Sequence, residues 1–186
     1  VMGSTRPLEK LNRDKAQWSS FTEAVGLKQL RKRNSTAKYL AKQFQSFKAT
    51  RFHNQCANRL ISMLINPEVF WNGRLVLLKG LSENDDPHVV REELIRRNPV
   101  FRLKSASDFI ITVGLSRDVI ALDTRVIGIF KRYFGYNYTV GVVQQNPLLY
   151  LSIEETLRQF CRKKKIPLAL LDRILFTYSG MGLIEF

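Results

Sequence analysis

The sequence predicts an all-α protein. Three observations carry that expectation. Apolar residues recur with a period near 3.6 along most of the chain, helix-cap residues bound the periodic segments, and the connections between them are short. Trp18, Phe21, Val25 and Leu30 form the first such stripe, with Gly26 as its break. Asn34-Ser35-Thr36 supplies N-cap residues for a helix running to Lys48, with Tyr39, Leu40, Phe44 and Phe47 on one side. A third apolar helix covers residues 52–65 and stops at Asn66-Pro67, because the residue before a proline is driven out of the α region. Residues 75–78 form an apolar run that fits either helix or strand. Residues 82–86 are a polar, acidic loop, and Asp86-Pro87 is an N-cap and N1 pair for a helix through Arg97.

Further along, residues 137–149 have no clear periodicity and read as a loop with one helical turn. Ser152-x-x-Glu155 matches a capping box and predicts a helix from there through Arg162. Pro167 opens the last helix, which carries Leu170, Leu171, Ile174 and Leu175 and ends at Gly180 and Gly182. No internal repeat or low-complexity tract interrupts the pattern. The expected organisation is one compact helical unit over 1–186, with lobes at 15–80 (joined by the termini) and 86–150.

Charge narrows the function. The chain carries a formal +14, which favours a polyanionic partner through counterion release. The charge is also segregated: residues 24–67 hold Lys28, Arg31, Lys32, Arg33, Lys38, Lys42, Lys48, Arg51 and Arg59 and no acidic residue. A field of one sign points to nucleic acid more strongly than solubility alone requires. The sequence contains no apolar stretch of transmembrane length and opens without the apolar run of a secretory signal, so no membrane partner is expected and the expected location is intracellular. Cys56 and Cys161 are isolated, which fits a reducing compartment and gives no zinc or iron–sulfur spacing.

The segment with the most chemistry is 97–130, where Lys104 and Asp123 stand nineteen positions apart. Asn98-Pro99 stops one helix, and only about five residues pass before the next begins near Lys104, so the two form a helix–hairpin–helix. Ala106, Phe109, Ile110 and Val113 give the second helix an apolar face, and Gly114 suits its left-handed C-terminal position. Asp123 precedes a further helix with Val126, Ile127 and Phe130 on one side, so its carboxylate can cap that helix. Taken singly, a lysine at a helix start is a solvated charge and an aspartate before a helix is a cap. His53 and His88 carry no chemical signal of their own.

Taken together, Arg97-Asn98, Lys104-Ser-Ala-Ser-Asp-Phe109, Val113-Gly114, Asp118-Val119 and Leu122-Asp123 resemble the helix–hairpin–helix DNA glycosylases with a Gly/Pro-rich loop and an aspartate. The nearest likeness is to archaeal-type 8-oxoguanine DNA glycosylase/AP lyases, and it extends to Leu171-Asp172 through Phe176 and to Met181-Gly182-Leu-Ile. The matches cover the second half of the chain. That resemblance implies two helical lobes with the active site and DNA cleft between them, and action as a monomer on double-stranded DNA carrying a damaged base or abasic site. Lys104 would be the nucleophile that attacks C1′ and forms a Schiff base, with β-elimination following. An amine protonated at neutral pH needs burial or nearby cations to become nucleophilic. Asp123 would stabilise positive charge on the sugar and help activate the nucleophile, and the damaged nucleotide would be flipped out of the stack.

The same resemblance implies a base pocket formed by Phe176, Asp172 and Phe186. Phe176 would stack on the extruded base or serve as a core aromatic. Asp172 would accept hydrogen bonds from a purine edge or pair at the surface, and Phe186 would close the pocket. Arg102, Arg97, Lys28, Arg31, Lys32 and Arg33 would hold phosphates, with Asn66 or Asn72 filling the gap left by the flipped base. No cofactor is implied beyond a monovalent cation at the hairpin. The chain departs from the family in two places: Val100-Phe101-Arg102-Leu103 replaces a Gly-x-Gly hairpin, and Ile184-Glu185-Phe186 replaces a terminal lysine beside the base. Two alternatives stand beside this reading. One is a non-catalytic helix–hairpin–helix DNA-binding module; the other is a glycosylase for a different modified base. An RNA-binding role is more distant, since no aromatic-rich RNA-recognition stretch occurs.

Overall fold

The computed structural model describes residues 6–30 and 36–180, and the protein is all-α, with 67% helix and 2% strand. The chain divides into two units, Val1–Arg74 and Leu75–Phe186. In the first, α1 (Arg6–Arg13) and α2 (Lys15–Ala24) meet at Asp14, whose Oδ1 accepts the amides of Ala16 and Gln17 at 3.1 and 3.0 Å and so caps α2. Gly26 separates α2 from the short α3 (Leu27–Leu30), as the sequence predicts. Helix α4 (Thr36–Ser46) packs on α5 (His53–Ile65), burying Leu40, Ala41 and Ala57. A second cluster of Leu11, Phe21 and Ala49 is covered by Trp18 and Phe47; Val25 and Phe44 touch both clusters. The N-cap residues Asn34 and Ser35 lie outside the described residues.

The structure contains one element that the helical reading did not anticipate. Strands β1 (Phe70–Trp71) and β2 (Arg74–Leu75) pair across Asn72-Gly73. Their φ values of 48° and 79° are the left-handed pair that a two-residue hairpin loop requires. Only Leu75 of the 75–78 run is in a strand; Val76 is irregular and Leu77 and Leu78 are turn.

The second unit begins with the expected helical hairpin. Asp86 caps α6 (Pro87–Arg97) through the His88 amide at 2.7 Å, and α7 (Leu103–Val113) follows after five residues. Gly114, at φ 78°, ends α7 in the left-handed conformation that an L side chain would resist. Asp123 caps α8 (Thr124–Phe134). Then come α9 (Val140–Gln145), α10 (Pro147–Lys163) and α11 (Leu168–Gly180). Two expectations are corrected in this part of the chain. The stretch 137–149 holds a full helix and the first turn of another, because Thr139 and Asn146 each cap a helix with their side chains. Ser152-x-x-Glu155 is not a helix start but the middle of α10, and Glu155 pairs with Arg158 one turn later.

The second unit's core gathers Ile120, Leu122, Val126, Ile127, Phe130, Tyr150, Ile153, Leu157 and Leu175. Residues 119–122 run through it almost wholly buried, without a helix or sheet to satisfy their backbone. Side chains do so instead. Glu154 accepts the Ile120 amide at 3.1 Å, and the Tyr150 hydroxyl accepts the Leu122 amide at 3.2 Å while donating to the Ile120 carbonyl at 2.8 Å. Gln144 donates to the Leu122 carbonyl at 2.9 Å. Glu154 is itself fully buried and takes a two-point bond from Arg91, at 3.0 and 2.8 Å. The same guanidinium donates to Ser107 of α7 and to Nδ1 of His88, so His88 belongs to this buried network and is not a bystander.

Removing one partner of a buried pair strands the other's charge. Arg91→Met should therefore lower unfolding free energy by about 3–5 kcal/mol, measured by urea denaturation.

Candidate active site

Lys104 is the second residue of α7. The helix starts there because the Ser105 hydroxyl accepts the Arg102 amide at 2.9 Å, closing the turn. The Lys104 side chain is 32% exposed, and its Nζ lies 3.5 Å from Oδ2 of Asp108, one turn along the same helix. This differs from the setting that the sequence led us to expect. The amine is neither deeply buried nor ringed by cations; its nearest charged partner is a carboxylate.

Asp123 is held at every polar atom. Its Oδ1 accepts the amides of Arg125 and Val126 at 2.9 and 3.2 Å, and its Oδ2 receives the Arg125 guanidinium, with Nε at 2.8 Å. Its own amide donates to the Ala121 carbonyl at 2.8 Å, which joins the cap to the buried 119–122 segment. The Arg125 guanidinium in turn sits 4.3 Å above the centre of the Phe176 ring. One arginine thus links the aspartate to the aromatic expected in the base pocket. Phe176 is 47% exposed, so it is not a core aromatic.

Asp172 of α11 is only 6% exposed and accepts no hydrogen bond from any described residue. Burial is the main reason that its carboxyl is pushed up to about 6. Arg173 opposes that rise, Asp123 and Asp108 reinforce it, and Lys104 opposes it, so all four lie within electrostatic reach of the carboxyl. Asp108 completes the group, because its other oxygen lies 3.7 Å from Arg173, which also donates to Thr112 at 3.0 Å. Asp108 thus ties Lys104 to Arg173, the sequence neighbour of Asp172, and Arg125 ties Asp123 to Phe176.

The sequence reading missed three members of that group: Asp108, Arg125 and Arg173. For Asp108 the signal was its position four residues after Lys104 on one helix face. The other two directly follow or nearly follow the residues already singled out.

The expected phosphate ligands divide. Arg97 is occupied structurally, donating to Glu93 at 2.7 Å and to the carbonyls of Leu77 and Lys79 at 2.9 and 2.7 Å. Arg102 is exposed, but Nη1 donates to the Pro99 and Phe101 carbonyls at 3.1 and 3.3 Å. The hairpin amides of Val100, Phe101 and Arg102 are likewise spent on Asn98 and Ser105. Without glycines the loop satisfies its own amides. Lys28 is exposed on α3. Arg31, Lys32, Arg33 and Phe186 lie outside the described residues. Among the described residues no group of His, Cys, Asp and Glu is arranged to hold a metal ion, and no helix is long and apolar enough to cross a membrane.

The buried carboxyl has a measurable consequence. Asp172 binds its proton more tightly in the folded protein than in the unfolded chain, so stability falls as pH rises from 3.8 through about 6 and stays lowered above that. The deficit is at most about 3 kcal/mol. Asp172→Asn should stabilise the protein by up to that amount at about pH 8 and make no difference near pH 3, read by urea unfolding at both.

Comparison with family models, with curated proteins and with solved structures returns no match.

Proposed function

We propose that this chain is a bifunctional DNA glycosylase/AP lyase that removes an oxidised purine, 8-oxoguanine foremost, from duplex DNA. The observation that carries the reading is the Asp123–Arg125 pair set against the half-exposed ring of Phe176, with Lys104 tied through Asp108 to Arg173 of the same helix as that ring. The Lys104 amine attacks C1′ of the flipped nucleotide as the base departs. Asp123, clamped by the α8 amides and Arg125, offers a fixed negative charge to the cationic sugar. Phe176, with Arg125 against it, offers a face on which the extruded base stacks.

Charge supports the partner. The first unit carries fourteen Lys and Arg against four Asp and Glu, a formal +10, whereas the second carries sixteen against twelve, +4. Lys28, Lys38, Lys42, Lys48 and Arg51 are exposed and make no ion pair among the described residues. Uncommitted cations of this kind are what counterion release requires. The self-satisfied hairpin favours one other reading, a DNA-binding module that has no catalytic step.

Borohydride should trap a covalent complex between the protein and DNA containing 8-oxoguanine or an abasic site, and Lys104→Gln should abolish it. Trapping that persists undiminished in Lys104→Gln removes Lys104 as nucleophile; tight binding without trapping on any lesion assigns the binding module instead. For the electrostatic part, each Lys→Gln change among Lys38, Lys42 and Lys48 that loses a phosphate contact should flatten the slope of log K against log salt by about 0.9, measured by fluorescence anisotropy on duplex DNA.

A further inference from the structure

The end of α8 carries aromatic rings that the core does not bury. Phe130 belongs to the second unit's core, but Tyr133 is 73% exposed, and Phe134, Tyr136 and Tyr138 are exposed as well. Gly135, left-handed at φ 73°, turns the chain so that Tyr136 returns onto the Phe130 ring. The rings then follow one another in series. Phe134 stacks with Phe130 at 4.8 Å between centroids, Phe130 with Tyr136 at 5.1 Å, and Tyr136 with Tyr138 at 6.0 Å. Each pair is within 22° of parallel, an arrangement that aromatic rings favour. Anchored on a core phenylalanine, the exposed rings are held at a set orientation. Tyr133, next in the chain to Phe134, makes no ring contact among the described residues.

The charge of this region has one sign. Residues 124–153 contain Arg125, Lys131 and Arg132 and no acidic residue. Lys131 is exposed three residues before Phe134, on the same side of α8, and makes no ion pair among the described residues. The exposed run 131–139 is Lys-Arg-Tyr-Phe-Gly-Tyr-Asn-Tyr-Thr, without a Leu, Ile, Val or Met. Rings and cations in that combination match a partner that offers flat π faces and negative charge together. Unpaired nucleotides offer both, through their bases and their phosphates. A duplex keeps its base faces inside the stack and cannot use the rings.

We propose that the surface formed by Tyr133, Phe134, Tyr136 and Tyr138, flanked by Lys131, binds single-stranded DNA by stacking unpaired bases on its exposed rings. None of Lys104, Asp123 or Asp172 takes part, so the stacking argument stands apart from the candidate active site. Only the choice of DNA over RNA rests on the proposed function. A hold of this kind depends on π surface more than on charge, which suits a unit carrying +4 of the formal +14.

Fluorescence anisotropy of the full chain with three labelled probes of equal length tests the proposal: oligo(dT), a strand of base-free deoxyribose phosphates, and a duplex. The unaltered protein should bind oligo(dT) more tightly than the base-free strand. Tyr133→Ala and Tyr138→Ala should each weaken oligo(dT) binding about 5- to 150-fold, and leave the base-free strand and the duplex unchanged. Tyr133→Phe and Tyr138→Phe keep the π face and should bind as the unaltered protein does, whereas Tyr133→Leu should lose affinity as the alanine variant does. Lys131→Gln should flatten the slope of log K against log salt by about 0.7 on both single strands.

Equal losses on the base-free strand overturn the proposal, because they mark a general effect on charge or folding. Unchanged oligo(dT) affinity in both alanine variants overturns it as well. A dimer in sedimentation that Tyr133→Ala converts to monomer, with oligo(dT) affinity unmoved, overturns it in favour of a second copy of this chain. Tighter binding to oligo(U) than to oligo(dT) overturns it in favour of RNA. Borohydride trapping is read separately, so the glycosylase reading can fail while strand binding holds, and the reverse.

Discussion

The Arg91–Glu154 pair is the interaction on which the rest of the second unit depends. A charged pair in a dry core is a poor source of net stability, since desolvation consumes most of the attraction. Its value here lies in what Glu154 does with its remaining capacity. The carboxylate, with the Tyr150 hydroxyl, pairs the backbone of residues 119–122, a segment that crosses the core with no helix or strand to support it. That segment delivers Asp123 to the N-terminus of α8. Through Ser107, the same arginine also fixes α7, which carries Lys104. One buried network therefore sets both the amine and the aspartate on rigid supports, so their relation does not depend on loop stiffness.

Around that frame, the acidic residues of the site are sorted by what their oxygens touch. Asp123 is saturated with donors, Asp108 is salt-bridged at the surface, and Asp172 is 6% exposed with no donor among the described residues. Identical functional groups thereby acquire different chemistry without any difference in side chain. The cost falls on Asp172, whose ionised form weakens the fold that holds it.

Much of the architecture could be read from the sequence because it is written in local chemistry. Asp86-Pro87, Gly114 and Asp123 each bound a helix by a rule involving neighbours within four residues, and each boundary is found where that rule places it. The misplaced start of α10 has the same origin: Ser152 and Glu155 satisfy a cap pattern, but Asn146-Pro147 satisfies one earlier, and a helix once begun continues through the second. The role of His88 and the Arg91–Glu154–Tyr150 network could not be read, because those partners lie up to 70 residues apart and nothing local marks them. In the candidate site, Lys104 and Asp123 carried a signal through spacing, whereas Asp172's isolation from donors is a property of packing and has no pattern in the chain.

The uneven division of charge has a kinetic meaning. With +10 of the formal +14 in Val1–Arg74, most of the attraction to a polyanion arises in a unit that contains none of Lys104, Asp123 or Asp172. Ionic strength acts on exposed charges over a Debye length of about 8 Å at physiological salt, and much less on buried groups. Salt therefore weakens the pull of the first unit's exposed cations on a polyanion far more than it disturbs the buried Arg91–Glu154 pair of the second. Under the proposed function, search along DNA and the step at the site would be separately adjustable, the first through ionic strength and the second through the site's own groups.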